Sequence, residues 1–398
     1  MKLRKIQDIK LENKGVVLRV DYNVPVKKEN GEYRVKDDTR IGLSLKTIDY
    51  ILKQKPKRLV IMSHFGRPEP GVASEEFSLR PIALYLQKQI KRNVIFAEKY
   101  HSLAEREKIL DCQNGEVIML ENVRFELGEE INSRSFSAKL AQLGDIFVND
   151  AFGSCHRAHS SVVGIAEILP SYAGYLLQTE IEMIGKAIKE TQRPLVAIVG
   201  GAKAATKIPV LEKLMTMADY VLLGGGVANT FLKAFGFHIG RSMYSPESLR
   251  ICQSLIWKAT RADTKLFMPT DAIVGNLSSG VKIGEVVIEE MPKQFQILDI
   301  GRQTQREYAR IIAEAKTVIW NGPMGVNEVK AFARGTEAVY EAIIAHKHLI
   351  SIVGGGDTLS SIEGHNHLEN ITHISTGGGA MLEYIEKGNL PGIEILEQ

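Results

Sequence analysis

Cysteine, net charge and long apolar runs are all scarce in this chain of 398 residues. Its 3 cysteines, Cys112, Cys155 and Cys252, are odd in number and far apart, which excludes a disulfide framework and fits reduced thiols. The 50 Lys and Arg residues nearly balance the 47 Asp and Glu, leaving a net charge of +3. Bulk nucleic-acid binding is therefore not expected, and any anion site must come from local clustering of cations. No uncharged apolar run approaches the roughly 18 residues of a membrane span. The first stretch, MKLRKIQDIKLENK, is charged throughout and does not read as a signal peptide. A soluble, cytoplasmic enzyme is the expected class. Low-complexity segments and fixed-period repeats are also missing.

What is present is ordinary globular composition, 44% hydrophobic and 24% charged, at a length that suits two or three domains. Short runs of Val, Ile and Leu alternate with longer amphipathic stretches, the pattern of a parallel sheet with helices on its faces. Strands are expected at about 16–20, 58–62, 116–120 and 145–148 in the first half, and at 195–199, 220–223, 317–320 and 349–353 in the second. Between the halves, Leu177, Ile181, Ile184 and Ile188 form one apolar helical face within 171–190. That segment reads as a connecting helix, although a surface helix of either half has the same pattern.

In open α/β sheets ligands bind beyond the carboxyl ends of the strands, so the residues after each strand carry the functional signal. In the first half these are Asp21-Tyr22-Asn23, Ser63-His64-Phe65-Gly66-Arg67, Glu121-Asn122-Val123-Arg124, and 149–159 with His156 and Arg157. One strand-end arginine is usually a surface charge. Arginine on three such loops reads as a small-anion pocket, because the planar guanidinium grips phosphate or carboxylate oxygens in pairs. His64 is equally readable as ligand-facing or structural, and His156 reads better as structural. Cys155 sits beside His156 and Arg157, cations that can lower a thiol pKa, but it reads better as a small, semi-buried residue than as a reactive thiol.

The second half places glycine after its strands: Gly200-Gly201-Ala202-Lys203, Gly224-Gly225-Gly226, Asn321-Gly322-Pro323, Gly354-Gly355-Gly356-Asp357-Thr358, and Gly377-Gly378-Gly379 near the end. Glycine lets backbone N–H groups approach phosphate oxygens. These loops contain neither the Gly-x-x-x-x-Gly-Lys-Ser/Thr pattern nor Gly-x-Gly-x-x-Gly, which weakens the two commonest nucleotide-site alternatives. Lys203 and Lys207 are spaced for one helical face directly after a glycine turn. Asp357 offers a hard oxygen ligand for Mg²⁺ carried by nucleotide phosphates, or else a helix cap.

These residues resemble the motifs of phosphoglycerate kinases: RVDYNVP at 19–25, SHFGRP at 63–68, LENVRF at 120–125, DAFGSCHRAHSS at 150–161, GGAKAATKI at 200–208, GGGVANTFL at 224–232, WNGPMGVNE at 320–328, GGGDT at 354–358 and STGGGA at 375–380. The match spans nearly the whole chain in family order. The resemblance implies an α/β fold of two Rossmann-like, three-layer αβα domains with mainly parallel sheets, separated by a cleft and joined by a hinge helix. It implies an acid-binding domain over 1–170, a hinge over 171–190, a nucleotide domain over 191–376, and a last segment, 377–398, folding back towards the first domain. It further implies reversible phosphoryl transfer between 1,3-bisphosphoglycerate and ADP, giving 3-phosphoglycerate and ATP, in a protein expected to be monomeric.

By the same resemblance Asp21, Asn23, His64, Arg67, Arg124 and Arg157 would hold the acid, and Arg40 would be the catalytic arginine, facing Lys203 across the cleft. Lys203 and Lys207 would meet nucleotide and transferring phosphates. Gly200, Gly201, Gly224, Gly225, Asn321 and Pro323 would line the nucleoside pocket, with Glu328 on the ribose. Gly355, Gly356 and Thr358 would meet phosphates, Asp357 would ligate the metal-nucleotide, and Gly377, Gly378 and Gly379 would form a closing loop. The chain departs from the family pattern at Ala205 and Thr206 before Lys207, at Asn327 before Glu328, and at Phe65 before Gly66. No nucleophile and base are paired in these motifs, which suits an acceptor carboxylate already ionised at neutral pH. A nucleotide-binding partner protein with weak turnover and a kinase of another small acid are the competing readings.

Overall fold

Five-residue apolar runs such as Gly15–Arg19 and Arg58–Met62 are buried along their whole length, as strands covered on both faces must be. In the computed structural model, which describes residues 2–397, the strands in chain order are β1 Gly15–Arg19, β2 Val26–Glu29, β3 Glu32–Val35, β4 Arg58–Met62, β5 Val94–Ala97, β6 Glu116–Leu120, β7 Ile146–Asn149 and β8 Ser171–Ala173. They continue with β9 Leu195–Val199, β10 Tyr220–Leu223, β11 Lys265–Phe267, β12 Asp271–Asn276, β13 Val281–Val287, β14 Gln296–Ile300, β15 Thr317–Asn321, β16 Ile350–Gly354 and β17 His373–Ser375. The first sheet has the order β5-β6-β4-β1-β7-β8 and the second β11-β10-β9-β15-β16-β17. The strand pairings within both sheets are parallel. A three-stranded antiparallel sheet, β13-β12-β14, and the hairpin β2-β3 accompany them.

Alternate residues along a strand point to opposite faces. Accordingly Val16, Leu18, Leu59 and Ile61 pack with Ile41 and Ile48 of the helix Thr39–Lys53. Val17, Val60 and Met62 pack with Ile109, Leu140 and Phe147 on the other side. Helices therefore cover both faces of the first sheet, a three-layer αβα arrangement. In the second sheet Val196, Ile198, Val318 and Trp320 pack on the helices Arg302–Glu314 and Arg334–Ile344 through Tyr308, Ile311, Val339 and Tyr340.

The chain divides into two units: residues up to Ile181 together with those from Asn389 onward, and Glu182–Gly388. The division falls inside the helix Tyr175–Lys189. The segment 171–190 is thus not helical from its first residue. Ser171–Ala173 is an edge strand paired with β7, because Pro170 and Gly174 bracket it and its backbone completes the ladder. Leu177 and Ile184 of the expected apolar face are fully buried. Of the stretch 377–398, Gly378–Lys387 forms a helix of the second unit, whereas the residues from Asn389 belong to the first. There Arg4 donates to Leu396 O and Ile395 O, and Gly392 N donates to Cys155 O at 2.9 Å; Gln398 lies outside the described residues. No helix among the described residues is long and apolar enough to cross a membrane.

Candidate active site

The strands β6, β4, β1 and β7 are neighbours in the first sheet, so their parallel carboxyl ends put four loops in a row. Side chains knit these loops together. Asn122, after β6, accepts from Phe65 N at 3.1 Å and Arg124 N at 3.1 Å, and donates to Phe65 O at 2.6 Å and Phe77 O at 3.0 Å. Asn23 Oδ1, after β1, accepts from Gly66 N at 2.9 Å, and Ser63 Oγ accepts from Tyr22 N at 2.8 Å. Arg19, the last residue of β1, is 1% exposed and reaches Ser161, Ser154, Val20 and His64. Neither Asn122 nor Arg19 was singled out from the sequence, although both lie within quoted motifs.

The expected acid-binding residues Asp21, Asn23, Arg40, His64, Arg67, Arg124 and Arg157 all belong to the first unit. Asp21 is 7% exposed and accepts Arg40 Nη1 at 3.0 Å. Burial alone would raise its pKa, but Arg40 and Arg19 hold the carboxyl below its usual value. Burial pushes His64 well below the ordinary imidazole value, Arg19, Arg124 and Arg40 act in the same direction, and Asp21 opposes them. Arg124 donates to Gly66 O at 2.5 Å and pairs with Glu130 at 3.2 Å. Arg67 and Arg157 are exposed, and Arg157 Nε donates to His156 Nε2 at 3.1 Å. Neighbouring cations do not activate Cys155: it is fully buried, and burial pushes the thiol up to about 12. Asn149, Ala151 and Gly392 enclose it, in keeping with the reading as a small residue without a reactive role, although its burial is complete and not partial.

In the second unit β10, β9, β15, β16 and β17 are consecutive neighbours, and each is followed by a glycine loop. The loops bond to one another: Gly200 N to Asn321 O at 2.9 Å, Gly201 N to Pro323 O at 2.7 Å, Gly225 N to Met324 O at 2.9 Å, and Gly322 N to Thr358 Oγ1 at 2.6 Å. Such contact explains several glycines directly. A Cβ at Gly200 would strike Pro323 O, at Gly224 Met324, at Gly225 the backbone of Gly201, and at Gly378 the backbone of Gly355. Gly356 and Gly379 differ, with nothing within 4 Å of a Cβ. A methyl side chain at either of these two would meet no neighbouring protein atom.

Lys203 is the exposed N-cap of the helix Ala204–Met215, and Lys207 is buried one turn on, donating to Gly200 O at 2.6 Å. Burial draws its ammonium down to about 8, Asp357 opposes this, and Lys203 adds to it. Asp357 lies in the first turn of the helix Gly356–Ile362 and is exposed, as is Glu328. Asn321 Nδ2 and both amide atoms of Asn327 are buried without a partner. Among the described residues no three His, Cys, Asp or Glu side chains converge as an all-protein metal site. One exposed carboxylate near two lysines instead fits Mg²⁺ held chiefly by nucleotide phosphates and water.

Comparison with known proteins places the chain in a family. The family model described as phosphoglycerate kinase matches residues 6–388. The chain is 43% identical over 397 residues to the phosphoglycerate kinase of Herpetosiphon aurantiacus, covering 100% of this chain and 99% of that protein. To that of Moorella thermoacetica it is 44% identical over 394 residues, covering 99% and 98%. Among solved structures it is similar to phosphoglycerate kinase from Coxiella burnetii, at TM-score 0.84, 39% identity and coverage of 99% and 98%. It is also similar to the enzyme from Pyrococcus horikoshii, at TM-score 0.86, 33% identity and the same coverage. On sequence, family pattern and fold alike, this chain belongs to the phosphoglycerate kinase family and is a phosphotransferase.

Proposed function

We propose that the strand ends of the first unit hold 3-phosphoglycerate or 1,3-bisphosphoglycerate and that the glycine loops of the second hold ADP or ATP. The observation that carries the reading is the gathering of Arg40, His64, Arg67, Arg124 and Arg157 on one unit and of Lys203, Lys207 and Asp357 on the other. Neither set pairs a nucleophile with a base. None is required, since the acceptor carboxylate is ionised at neutral pH, and phosphoryl transfer is chiefly positioning and stabilisation of charge on the equatorial oxygens.

In this reading Arg124, Arg67 and Arg157 grip the 3-phosphate and carboxyl oxygens, with His64 and Asn23 donating hydrogen bonds and Asp21 orienting Arg40 through their ion pair. Arg40 and Lys203 stabilise the transferring group. Lys207 and the amides of the Gly355–Thr358 turn meet nucleotide phosphates, Glu328 meets the ribose, and Asn321 supplies its unpartnered amide donor. Asp357 would hold Mg²⁺ carried with the nucleotide, and the metal would supply positive charge to offset that of the phosphates. Because the two ligand sets lie on different units, transfer requires a conformation in which both ligands meet with water excluded, since water would hydrolyse the acyl phosphate. The protein acts in the cytoplasm as a monomer.

A coupled assay with 3-phosphoglycerate and Mg-ATP tests the assignment, and absence of turnover at millimolar substrate overturns it. Scattering measurements with and without both substrates test closure, which an unchanged radius of gyration contradicts.

A further inference from the structure

Arg19 is the innermost cation of the first unit's loops, and its contacts fix the chemistry of a neighbour. Its Nε donates to Ser161 Oγ at 2.9 Å, its Nη1 to Val20 O, and its Nη2 meets Ser154 Oγ at 3.4 Å and His64 Nδ1 at 3.1 Å. Ser161 Oγ passes the interaction on, donating to Glu129 Oε1 at 2.6 Å, and Glu129 Oε2 accepts Ser161 N at 3.0 Å. Glu129 is 0% exposed, so the guanidinium is held on one side by a buried carboxylate acting through a serine. A guanidinium has only donors and keeps its charge in proteins. The histidine nitrogen facing it must therefore be the acceptor.

We propose that Arg19 is a positioning residue that holds His64 as the neutral tautomer protonated on Nε2, so that the ring presents the acid substrate with one uncharged donor. The inference rests on the reading above that His64 meets substrate oxygens. It explains why a buried arginine stands behind a site already rich in arginine: Arg19 donates all its hydrogen bonds inward and acts on the ligand through His64. The charged groups facing His64 are Asp21 from the loop after β1, Arg40 from the helix Thr39–Lys53, Arg124 from the loop after β6, and Arg19 itself. Asp21 favours an imidazolium, but it is already paired with Arg40 at 3.0 Å, and the three arginines act the other way. A second cation at His64 would add like-charge repulsion and make affinity for the acid depend on pH near neutrality. A pinned neutral donor removes that dependence.

Long-range proton–nitrogen spectra of the protein carrying ¹⁵N-histidine test the tautomer directly. For His64 the expected result is an unprotonated Nδ1 and a protonated Nε2, unchanged from about pH 5.5 to 8.5. A proton on Nδ1, or an imidazolium within that range, overturns the proposal, and these spectra need no variant. In Arg19→Met the ring is released, and KM for 3-phosphoglycerate becomes pH-dependent by about tenfold over the same range, with KM for ATP unmoved. Arg19→Lys, which keeps a donor-only cation, restores the flat profile. A folded Arg19→Met with a flat profile overturns the proposal. If His64 shows the expected tautomer but His64→Ala leaves KM for the acid unchanged, the substrate assignment fails while the action of Arg19 on the ring stands.

Discussion

Replacing Lys207 with methionine removes a buried ammonium whose titration should couple stability to nucleotide binding if phosphates bind beside it as proposed. Burial lowers its pKa from 10.5 to about 8. Between those values the unfolded chain binds a proton that the native state has released, so this group makes stability rise with pH, by about 1.4 kcal/mol per unit. The whole interval amounts to about 3 kcal/mol. Below pH 8 both states are protonated, and the native state carries the full cost of a desolvated ammonium. The variant is free of that cost but loses the bond from Nζ to Gly200 O at 2.6 Å, worth about 1.5–3 kcal/mol for a charged donor. At pH 7 Lys207→Met should therefore be as stable as the wild type or up to about 2 kcal/mol more stable, and inactive. As pH rises to 10.5 the difference should move by about 3 kcal/mol in favour of the wild type. Urea unfolding of both proteins at a series of pH values measures this. Calorimetry of ATP binding at pH 9, in buffers of different ionisation enthalpy, gives a second reading: phosphates beside Lys207 restore its charge, so the wild type takes up nearly one proton and the variant none. A pH-independent offset between the unfolding curves, with equal proton uptake, refutes the reasoning.

Arg40→Ala should lower turnover by about 10³–10⁵, the range for a cation that stabilises a transferring phosphoryl group, and a loss below tenfold removes Arg40 from that role. Gly378→Ala drives a Cβ into the backbone of Gly355 and should cost about 2 kcal/mol or more in thermal unfolding. Gly379→Ala meets nothing within 4 Å and should keep wild-type stability while weakening nucleotide binding; equal destabilisation of the two contradicts the distinction. Asp150 is fully buried, with Oδ2 unpartnered, and burial raises it to about 7. A raised carboxyl makes stability fall as pH climbs from about 4 to 7, so Asp150→Asn should gain roughly 2–4 kcal/mol on the wild type between pH 5 and pH 8. A constant difference in unfolding midpoint would show that Asp150 is ionised throughout.

Strands buried on both faces were legible because their apolar runs are continuous: the expected 58–62 and 195–199 coincide with β4 and β9, and 16–20 differs from β1 by one residue. Edge strands were not. Ser171–Ala173 and His373–Ser375 have three residues each, too short for any periodicity, and become strands only because β7 and β16 offer free edges. The apolar face that begins at Leu177 belongs to the helix Tyr175–Lys189 alone, and the strand before it carries no pattern of its own. The antiparallel strands β12, β13 and β14 also escaped notice, β13 because its outward positions break up the apolar run.

The division between arginine loops and glycine loops was written in the sequence, because a parallel sheet returns every strand's carboxyl end to the same edge and fixes which loops become neighbours. Residue type and strand order sufficed for that. Packing alone decided the rest. Cys155 has cations beside it in the chain, yet the segment from Asn389 onward buries it as a neutral thiol. Several glycines that read as ligand-facing are required by loop-to-loop contact, and Gly356 and Gly379 stay clear. Arg19 looks like a charge misplaced at the end of an apolar strand until His64, Ser154 and Ser161 arrive from other loops to accept its hydrogen bonds. Sequence determines which groups are available to a site. Burial and hydrogen-bond direction, which depend on distant segments meeting, decide which of them carry a charge and which hold a proton.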